Sequence, residues 1–490
     1  MRRIGFVLFA FSLIVGAFAG VTAGGYVLGG LAEAHLFQGA HRLVMLLILM
    51  LVMVMVIATL LTAAERKWSA LMQNRIGPNR AKLFGSPLAG LGHTAADVLK
   101  MLTKEDFIPA AANKALFILA PMLAFGSAFA LFAVVPAGPS VEVMGHTVDM
   151  VVGTPDFGIL YLFAIASIAV YGTALAGWSS NNKFGLLGGV RASAQMVSYE
   201  IALGLSLVGL MMTFSTVQLP QMVGEGLGQG QFQYVWGNAA AMGEGGGFDI
   251  GLPAWGLFLQ PVGFLLFFAA SFAETKRAPF DVPEGESEII GYFVEYSGMK
   301  FGLFMISEFV EIVVLSGVIT VLFLGGYHLP FGELWLRSLP VMQEHGWLLG
   351  TVLGTVFWLK VLALIWLQLL IRWSLIRFRY DQLMSLGWKV LLPLGLVNVF
   401  VTGALLLWDP TLQWMTGLGL LVLSALFVLS VTGPASDETE ETAHGASDHD
   451  RDHGDTPSNL GGGAKHTLPD SHHADGDLEA AARAAASLSH

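Results

Sequence analysis

The chain has 490 residues, of which 54% are hydrophobic and only 12% are charged, whereas a soluble globular protein carries about 25% charged residues. This composition indicates an integral membrane protein, and the formal net charge of −11, concentrated after residue 433, offers no basic surface for nucleic acid. Because cysteine is absent, disulfides and iron–sulfur clusters held by this chain's own thiolates are excluded.

Ten apolar runs are long enough to cross a bilayer, which needs about 20 residues per helix. They predict an all-α fold, a polytopic membrane helix bundle with about nine or ten transmembrane helices, because a membrane barrel would show short alternating strands instead. The runs are 4–30, 43–62, 114–136, 155–178, 196–219, 253–272, 301–325, 347–371, 388–408 and 412–431.

The first run has two interpretations. Arg2 and Arg3 precede an apolar core and the small-residue sequence Ala17-Phe18-Ala19, which also resembles a signal peptide with its cleavage site. We favour a retained helix, so that residues 1–42 form an extra helix with an external loop before a membrane domain over 43–431. Either interpretation leaves the remaining topology unchanged.

The loops between the runs alternate in basic content. Every second loop, beginning with the first, is nearly free of basic residues, and together these loops contain only Arg42 and Arg337. The loops between them carry many lysines and arginines. The positive-inside rule therefore predicts that the basic loops and both termini are cytoplasmic.

An amphipathic helix is predicted in the first basic loop, between Pro87 and Leu102. Its apolar residues recur at helical spacing, and Asp97, Lys100 and Lys104 lie among or beside them. This pattern is typical of a helix in the plane of the membrane interface. Such a helix is an anchor, and it could equally form one wall of an opening for an amphipathic ligand.

Carboxylates are concentrated in the loop 273–300 and continue into the next helix at Glu308 and Glu311. A solvated face is the ordinary explanation of such a run, but Pro279 and Pro283 stiffen this loop. Ionisable groups at membrane depth are costly and often mark proton routes.

A buried ion pair is the competing explanation for Glu311. Lys360 and Glu311 are each expected roughly 15–17 Å from the cytoplasmic end of their helices, at about 1.5 Å per residue. The two side chains are therefore predicted to be able to meet.

Several short motifs, taken in order, resemble one protein family. They are Glu65-Arg66-Lys67, Arg75-Ile76-Gly77-Pro78-Asn79-Arg80, Ser198-Tyr199-Glu200, Ala278-Pro279-Phe280-Asp281, Glu284-Gly285-Glu286 and Arg379-Tyr380-Asp381-Gln382-Leu383-Met384. The sequence over about 43–431 resembles the H subunits of bacterial NADH:quinone oxidoreductase, respiratory complex I. That family forms the quinone tunnel with peripheral-arm subunits and couples quinone reduction to proton translocation.

The resemblance implies two groups of functional residues. The implied quinone-tunnel residues are Arg66, Arg75, Arg80, Arg372, Arg377, Arg379 and Asp381. The implied proton-coupling carboxylates are Glu200, Glu274, Asp281, Glu284, Glu286, Glu288, Glu295, Glu308 and Glu311, with Arg277 and Lys360 as basic partners. The spacing from Glu288 to Glu295 is one residue shorter than is usual in the family, which leaves the role of Glu295 open.

The resemblance also implies cofactors, partners and location. Quinone, either ubiquinone or menaquinone, is the expected substrate, while flavin and iron–sulfur clusters are expected only in partner subunits. No metal and no catalytic residue is expected in this chain, and no activity is expected of it in isolation. The expected partners are peripheral-arm quinone-site and iron–sulfur subunits, the small membrane subunits that lead to the antiporter-like subunits, and the lipid of the bacterial inner membrane.

Two other functions stay open. One is the membrane anchor of an energy-converting hydrogenase, which the complete motifs at 75–80 and 379–384 disfavour. The other is a secondary ion transporter, for which the sequence offers no convincing inverted repeat. The acidic, histidine-rich segment 432–490 is predicted to be a disordered cytoplasmic tail, because it has too few large apolar residues to offset its ordering entropy.

Overall fold

Long helices make up most of the chain in its computed structural model. The structure describes residues 2–37, 39–81, 90–224, 228–236, 252–283, 285, 289–409 and 411–432. Residues 433–490, for which a disordered tail is predicted, and three predicted carboxylates, Glu284, Glu286 and Glu288, lie outside the described residues. The chain divides into two units, Met1–Phe427 and Val428–His490, and every contact discussed below lies within the first.

The helices are numbered in chain order. They are α1 (Arg2–His35), α2 (Ala40–Met72), α3 (Leu91–Thr103), α4 (Lys114–Leu131), α5 (Gly158–Ser179), α6 (Lys183–Phe214), α7 (Leu219–Val223), α8 (Gly256–Leu259), α9 (Pro261–Glu274), α10 (Gly298–Phe323), α11 (Glu333–Ser338), α12 (Pro340–Glu344), α13 (Gly346–Ser374), α14 (Tyr380–Trp408) and α15 (Gln413–Thr432). Helices α2 and α14 contain π-helical stretches, Leu46–Val54 and Leu386–Leu391, and the 3-10 turn Phe132–Val134 follows α4.

Two small antiparallel strand pairs accompany the helices. Strands β1 (Val141–Val143) and β2 (His146–Val148) form a hairpin in which Val141 pairs with Val148. The two turn residues between them, Met144 and Gly145, both have positive φ, as tight hairpin turns require. Strands β3 (Tyr234–Trp236) and β4 (Leu252–Pro253) form the other pair.

Nine helices of the described residues are long and apolar enough to cross a membrane, which confirms the predicted all-α polytopic bundle. They are α1, α2, α4, α5, α6, α10, α13, α14 and α15. Helix α3 confirms the helix predicted in the first basic loop, although it begins at Leu91, and its position at a membrane interface stays a prediction. Its apolar residues Val98, Leu99 and Leu102 are exposed.

The structure differs from the predicted runs at two places. The run 253–272 is two helices, α8 and α9, because Pro261 disfavours the helical conformation at the preceding Gln260, which has φ −137° and ψ 67°. The run 196–219 begins earlier, since α6 starts at Lys183, where the Asn182 side chain accepts a hydrogen bond from the Phe184 N–H. The prediction of one helix over 253–272 was therefore wrong. The prediction that residues 183–195 belong to a basic loop was also wrong, because they form the first part of α6.

Helix α10 forms the centre of the bundle. In its apolar segment 89% of the residues are buried, a larger share than in any other spanning helix of the described chain. It packs against α2, α4 and α13, so its two glutamates, Glu308 and Glu311, face protein. Charged side chains on this helix therefore need partners from its neighbours.

Close helix packing supplies a prediction. A Cβ on Gly172 of α5 would lie 2.8 Å from the Ala124 backbone nitrogen of α4, whereas a Cβ on Gly126 has no atom within 4 Å. Since overpacking costs about 1–3 kcal/mol, Gly172→Leu is expected to lower the melting temperature of the assembled complex. Gly126→Leu is the matched control, and equal losses from both variants would contradict the observed α4–α5 packing.

Candidate functional site

A tight turn at the end of α2 begins the site. The Arg75 N–H donates to the Ala70 carbonyl at 2.8 Å, and Asn74 and Gly77 adopt left-handed conformations. A Cβ on Gly77 would lie 2.8 Å from the Ala70 Cβ, so only glycine allows the chain to return this closely over the helix. This turn brings the segment 75–80 back over the end of α2.

The start of α3 packs directly on that returning segment. A Cβ on Gly90, which has a φ of +96°, would lie 2.6 Å from the Pro78 carbonyl oxygen. A Cβ on Gly92 would lie 2.7 Å from the Ala81 carbonyl oxygen. The two glycines thus allow α3 to meet the turn and add His93 to the same site.

A polar pocket of about 660 Å³ lies where the ends of α2 and α13 meet this turn and α3. It is lined by Glu65, Arg66, Ser69, Arg75, Gly77, Pro78, Asn79, Arg80, His93, Arg372 and Trp373. The structure therefore brings together four of the predicted tunnel residues, Arg66, Arg75, Arg80 and Arg372. Arg66 also forms an ion pair with Asp97 of α3.

The other three predicted tunnel residues do not line this pocket. Arg377 donates from Nη2 to the Asp281 carbonyl oxygen at 2.6 Å, which links the end of α13 to the carboxylate-rich loop. Arg379 and Asp381 are 80% and 81% exposed and form a 3.5 Å ion pair with each other. Their predicted role in a tunnel rests on the resemblance alone.

Glu65 joins the pocket to the interior. Its carboxylate accepts hydrogen bonds from Arg277 Nη1 at 2.8 and 2.9 Å and also pairs with Arg372. Glu65 and Arg277 are both buried, and both line a small cavity beneath the pocket together with Arg372. The motif Glu65-Arg66-Lys67 was recognised in the sequence, but Glu65 was not predicted to be a site residue.

Arg277 and Lys276 carry the network on to α10. Arg277 Nε lies 4.0 Å from Glu308 Oε2, and its guanidinium lies over the Phe309 ring at 4.2 Å from the centroid. Lys276 Nζ lies 3.8 Å from Glu311 Oε2, with both side chains buried. The sequence identified the carboxylates of this loop and helix but not the lysine that pairs with Glu311. We call Glu65, Arg372, Arg277, Lys276, Glu308 and Glu311 the buried ion network.

Glu274 and Glu200 extend the network away from the pocket. Glu274 interacts electrostatically with Glu311, Glu200 and Lys276. It lines a small cavity of about 30 Å³ whose other walls are apolar, which is enough space for a water molecule. Glu200 accepts a 2.6 Å hydrogen bond from the Ser167 hydroxyl. Electrostatic interactions thus link Glu200 to Glu274, Glu274 to Glu311, and Glu311 to Glu308.

Glu295 lies apart from this group. It accepts a 2.7 Å hydrogen bond from Asn182 Nδ2 at the start of α6. Burial raises the pKa of the neighbouring Tyr296 to about 12. A hydrogen bond with the Ser179 hydroxyl at 3.2 Å lowers this pKa, but by less than burial raises it. Glu295 therefore ties the carboxylate-rich loop to α6, and a role in proton coupling stays a prediction for this residue.

Comparison with known proteins identifies the family of this chain. Residues 44–403 match the model of the NADH dehydrogenase family. An H subunit of NADH-quinone oxidoreductase from Cytophaga hutchinsonii is 43% identical over 353 residues, which cover 72% of this chain and 92% of that protein. The chain belongs to the family of NADH-quinone oxidoreductase H subunits.

Other family members show similar agreement. An H subunit of NADH-quinone oxidoreductase from Syntrophobacter fumaroxidans is 41% identical over 355 residues, with 72% of this chain and 92% of that protein covered. NADH-quinone oxidoreductase subunit 8 of Rhodothermus marinus is 40% identical over 349 residues, with 70% and 91% covered. In the part of the chain that the structure describes, no group of three or more His, Cys, Asp or Glu side chains could hold a metal ion.

The ion pair between Lys360 and Glu311, which was the competing explanation for Glu311, is not the contact that either side chain forms. Lys360 Nζ donates to the carbonyl oxygens of Leu324, Gly326 and His328 at 2.6, 3.0 and 2.5 Å. These carbonyls follow the last turn of α10, where helices leave carbonyls unpaired and favour a positive charge.

The competing explanation assumed that the amino end of α10 and the carboxyl end of α13 are level. Arg372 of α13 and Glu308 of α10 are both joined to the Glu65–Arg277 pair, so they lie at similar depth. Lys360 precedes Arg372 by twelve residues, or about 18 Å of helix, which takes it past Glu311 to the far end of α10. Helix offset of this kind cannot be read from sequence.

A second buried cluster surrounds the far end of α10 and was not predicted. His328 Nδ1 lies 2.9 Å from Glu333 Oε1, and His328 Nε2 lies 2.6 Å from the Gly224 carbonyl oxygen. The Glu333 carboxyl group and the Gly224 carbonyl oxygen thus hold the imidazole ring from both sides. Burial by itself raises the pKa of Glu333, but the hydrogen bond and charge of His328 and the nearby Arg337 lower it below its ordinary value. The four-residue spacing of Glu333 and Arg337 was the available sequence signal.

The corrected pairing can be tested with double-mutant cycles on the melting temperature of the assembled complex. Breaking a buried pair leaves the partner's charge uncompensated, so Lys276→Met and Glu311→Gln are each expected to destabilise the complex. Together they should destabilise it less than the sum of the two, with a coupling energy of about 0.5–3 kcal/mol. Lys360→Met and Glu311→Gln should be additive, and coupling in this second cycle instead of the first would restore the rejected pair.

Proposed function

We propose that this chain is the quinone-site membrane subunit of a proton-translocating NADH:quinone oxidoreductase in a bacterial inner membrane. The observation that carries the proposal is that Glu65 and Arg372 line the polar pocket and also belong to the buried ion network. A change of charge in the pocket therefore acts directly on Glu65 and Arg372, which are joined through Arg277 to the membrane carboxylate Glu308.

The pocket has the properties that a quinone head group needs. Its volume of about 660 Å³ lies within the range of about 300–1,000 Å³ typical of small-molecule sites. Arg66 and Arg372 offer N–H donors to quinone oxygens, and Trp373 offers an aromatic surface. The exposed apolar residues of α3, Val98, Leu99 and Leu102, offer a path for the isoprenoid tail. Peripheral-arm subunits would complete the chamber.

Reduction at this pocket changes its charge. A quinone takes up two electrons from an iron–sulfur cluster of a partner subunit and two protons to become the quinol. Before the protons arrive, the negative charge on the head group attracts Arg66 and Arg372 and competes with Glu65 for Arg372. Unit charges about 4 Å apart interact by about 4 kcal/mol at an effective dielectric constant of about 20, which is enough to redistribute such a network.

The buried ion network passes this change into the membrane. When Arg372 moves towards the quinone, Glu65 holds Arg277 more strongly, and Arg277 is then less available to Glu308 at 4.0 Å. A carboxylate that loses a positive neighbour binds a proton more readily. Glu308, Glu311, Glu274 and Glu200 form the group that takes up this proton and, with the adjoining membrane subunits, leads the charge towards the antiporter-like subunits.

The same arrangement supports the orientation. The pocket and the basic residues of the buried ion network lie at the carboxyl ends of α2, α9 and α13 and the amino end of α10. The positive-inside rule makes this the cytoplasmic side, where a peripheral arm carrying flavin and iron–sulfur clusters would dock. The His328–Glu333 cluster then lies towards the external side.

The two alternative functions are less well supported. Both the hydrogenase anchor and the secondary transporter lack a use for a pocket with the polarity and size of a quinone site. The chain matches the relatives named above over more than nine-tenths of their length, and those relatives are named as subunits of NADH-quinone oxidoreductase. Copurification of soluble iron–sulfur subunits with this chain distinguishes an assembled oxidoreductase from a self-contained transporter.

The pocket is tested by arginine removal in the assembled complex. Arg66→Ala and Arg372→Ala are expected to lower the rate of short-chain quinone reduction at least tenfold, since each loss of about 1.4 kcal/mol of transition-state binding costs a factor of ten. NADH oxidation by an artificial acceptor should stay unchanged, because that reaction bypasses the pocket. Lys183→Ala removes an exposed positive charge of the same side and is the control. A parallel loss of both activities would show that the arginines support assembly, and unchanged quinone reduction in both variants would contradict the quinone role.

A further inference from the structure

Helix α1 lies outside the family match, which begins at residue 44, yet it is packed closely into the bundle. Its main contacts are with α13, with the start of α2 and with the hairpin formed by β1 and β2. The function proposed above makes no use of this helix. Its packing is therefore a separate feature of the chain.

A row of glycines on α13 forms the surface that receives α1. Gly346, Gly350 and Gly354 are spaced four residues apart, so they lie on one face of the helix. A Cβ on Gly350 would lie 2.6 Å from Val141 Cγ2 and 2.9 Å from the Tyr26 ring. A Cβ on Gly354 would lie 3.3 Å from Thr22 Cγ2. We call this face, with Trp358 at its inner end, the glycine groove.

The matching face of α1 carries Phe18, Thr22 and Tyr26, again at four-residue spacing. Phe18 stacks on Trp358 with ring centroids 6.1 Å apart and an angle of 11° between the rings. The Tyr26 side chain is fully buried, and its hydroxyl donates to the Pro139 carbonyl oxygen at 2.8 Å. Each of these side chains thus fills a place along the glycine groove or beside it.

The external end of α1 is held from two further sides. Cβ atoms on Gly29 and Gly30 would lie 2.9 Å from Val148 Cγ1 and 2.8 Å from Val143 Cγ1, so the hairpin lies directly on the helix. Glu33 accepts hydrogen bonds from the Gly39 N–H at 2.7 Å and from the His41 N–H at 3.2 Å. The helix is therefore tied to both the hairpin and the start of α2.

We propose that the glycine groove is an intramembrane docking site for a helix, and that α1 is its permanent occupant in the mature chain. Helices associate within lipid chiefly through close packing at small residues, and the glycine groove with its complementary side chains supplies this packing. The chain thereby carries its own partner helix on a surface that would otherwise accept a helix of another subunit or lipid. This inference is independent of the proposed quinone function.

Removal of the first run as a signal peptide conflicts with this packing. Cleavage after Ala19 would separate Phe18 from Thr22 and leave residues 20–35, about 24 Å of helix, which is shorter than the roughly 30 Å core of a bilayer. It would also remove the ring that stacks on Trp358. The apolar core of a signal peptide is about 7–15 residues long, whereas the apolar run here extends from residue 4 to residue 30.

The proposal is tested first on the unmodified protein. The chain isolated from the purified complex is expected to have the mass that includes residues 2–19. A chain beginning near Gly20 would overturn the proposal. This measurement decides the question of retention even if the variants described next do not assemble.

Docking is tested by a disulfide, which the absence of native cysteine makes unambiguous. A Cβ on Gly354 would lie 3.6 Å from the Thr22 Cβ, within the range of about 3.5–4.5 Å that disulfides require. With a protease site inserted after the exposed Phe37, most of the N-terminal fragment of the Thr22→Cys/Gly354→Cys chain should stay attached until reduction. The Gly24→Cys/Gly354→Cys control should release its fragment, because a Cβ on Gly24 has no neighbour within 4 Å. Release from both pairs, or retention by both, would overturn the docked geometry.

Discussion

The carboxylate of Glu65 is shared by Arg277 and Arg372, and the rest of the site depends on this arrangement. A buried charge without a partner costs several kcal/mol, so the three side chains hold one another in place. Arg372 comes from α13, Glu65 from α2 and Arg277 from the loop after α9. The attraction of both arginines to Glu65 therefore holds these three elements together at one point. The polar pocket forms on one side of this contact and the buried carboxylates lie on the other. Charged side chains therefore connect the polar pocket to the buried carboxylates.

Helix α10 carries the buried carboxylates that Arg277 and Lys276 contact. Its amino-terminal half presents Glu308 and Glu311 to Arg277 and Lys276, and its far end presents carbonyl oxygens to Lys360. The helix thus has positive partners at both levels, although for different reasons, ion pairing in one case and the helix dipole in the other. Since α10 is the most buried spanning helix of the described chain, few of these charges are screened by solvent.

The sequence was sufficient for features that depend on local pattern. Hydropathy predicted the membrane helices because apolar length is a property of each segment alone. The partner of each buried charge was not predictable in this way. Glu65, Lys276 and Lys360 were missed or misassigned because pairing depends on the offset and rotation of helices that are distant in sequence. The break before Pro261 could have been predicted from the sequence, because proline restricts the residue before it. It was missed because the apolar run continues through this position.

We propose that charge in the pocket changes the protonation of the membrane carboxylates through Arg277. Infrared difference spectroscopy of the assembled complex, recorded on quinone reduction, measures this most directly through the carbonyl stretch of protonated carboxylic acids. The account predicts a carboxylic acid band in the wild type that is lost or strongly reduced in Glu308→Gln. It should persist in Asp106→Asn, which alters an exposed carboxylate paired with Lys300. An unchanged band in Glu308→Gln, or no carboxylic acid band in the wild type, would contradict the account.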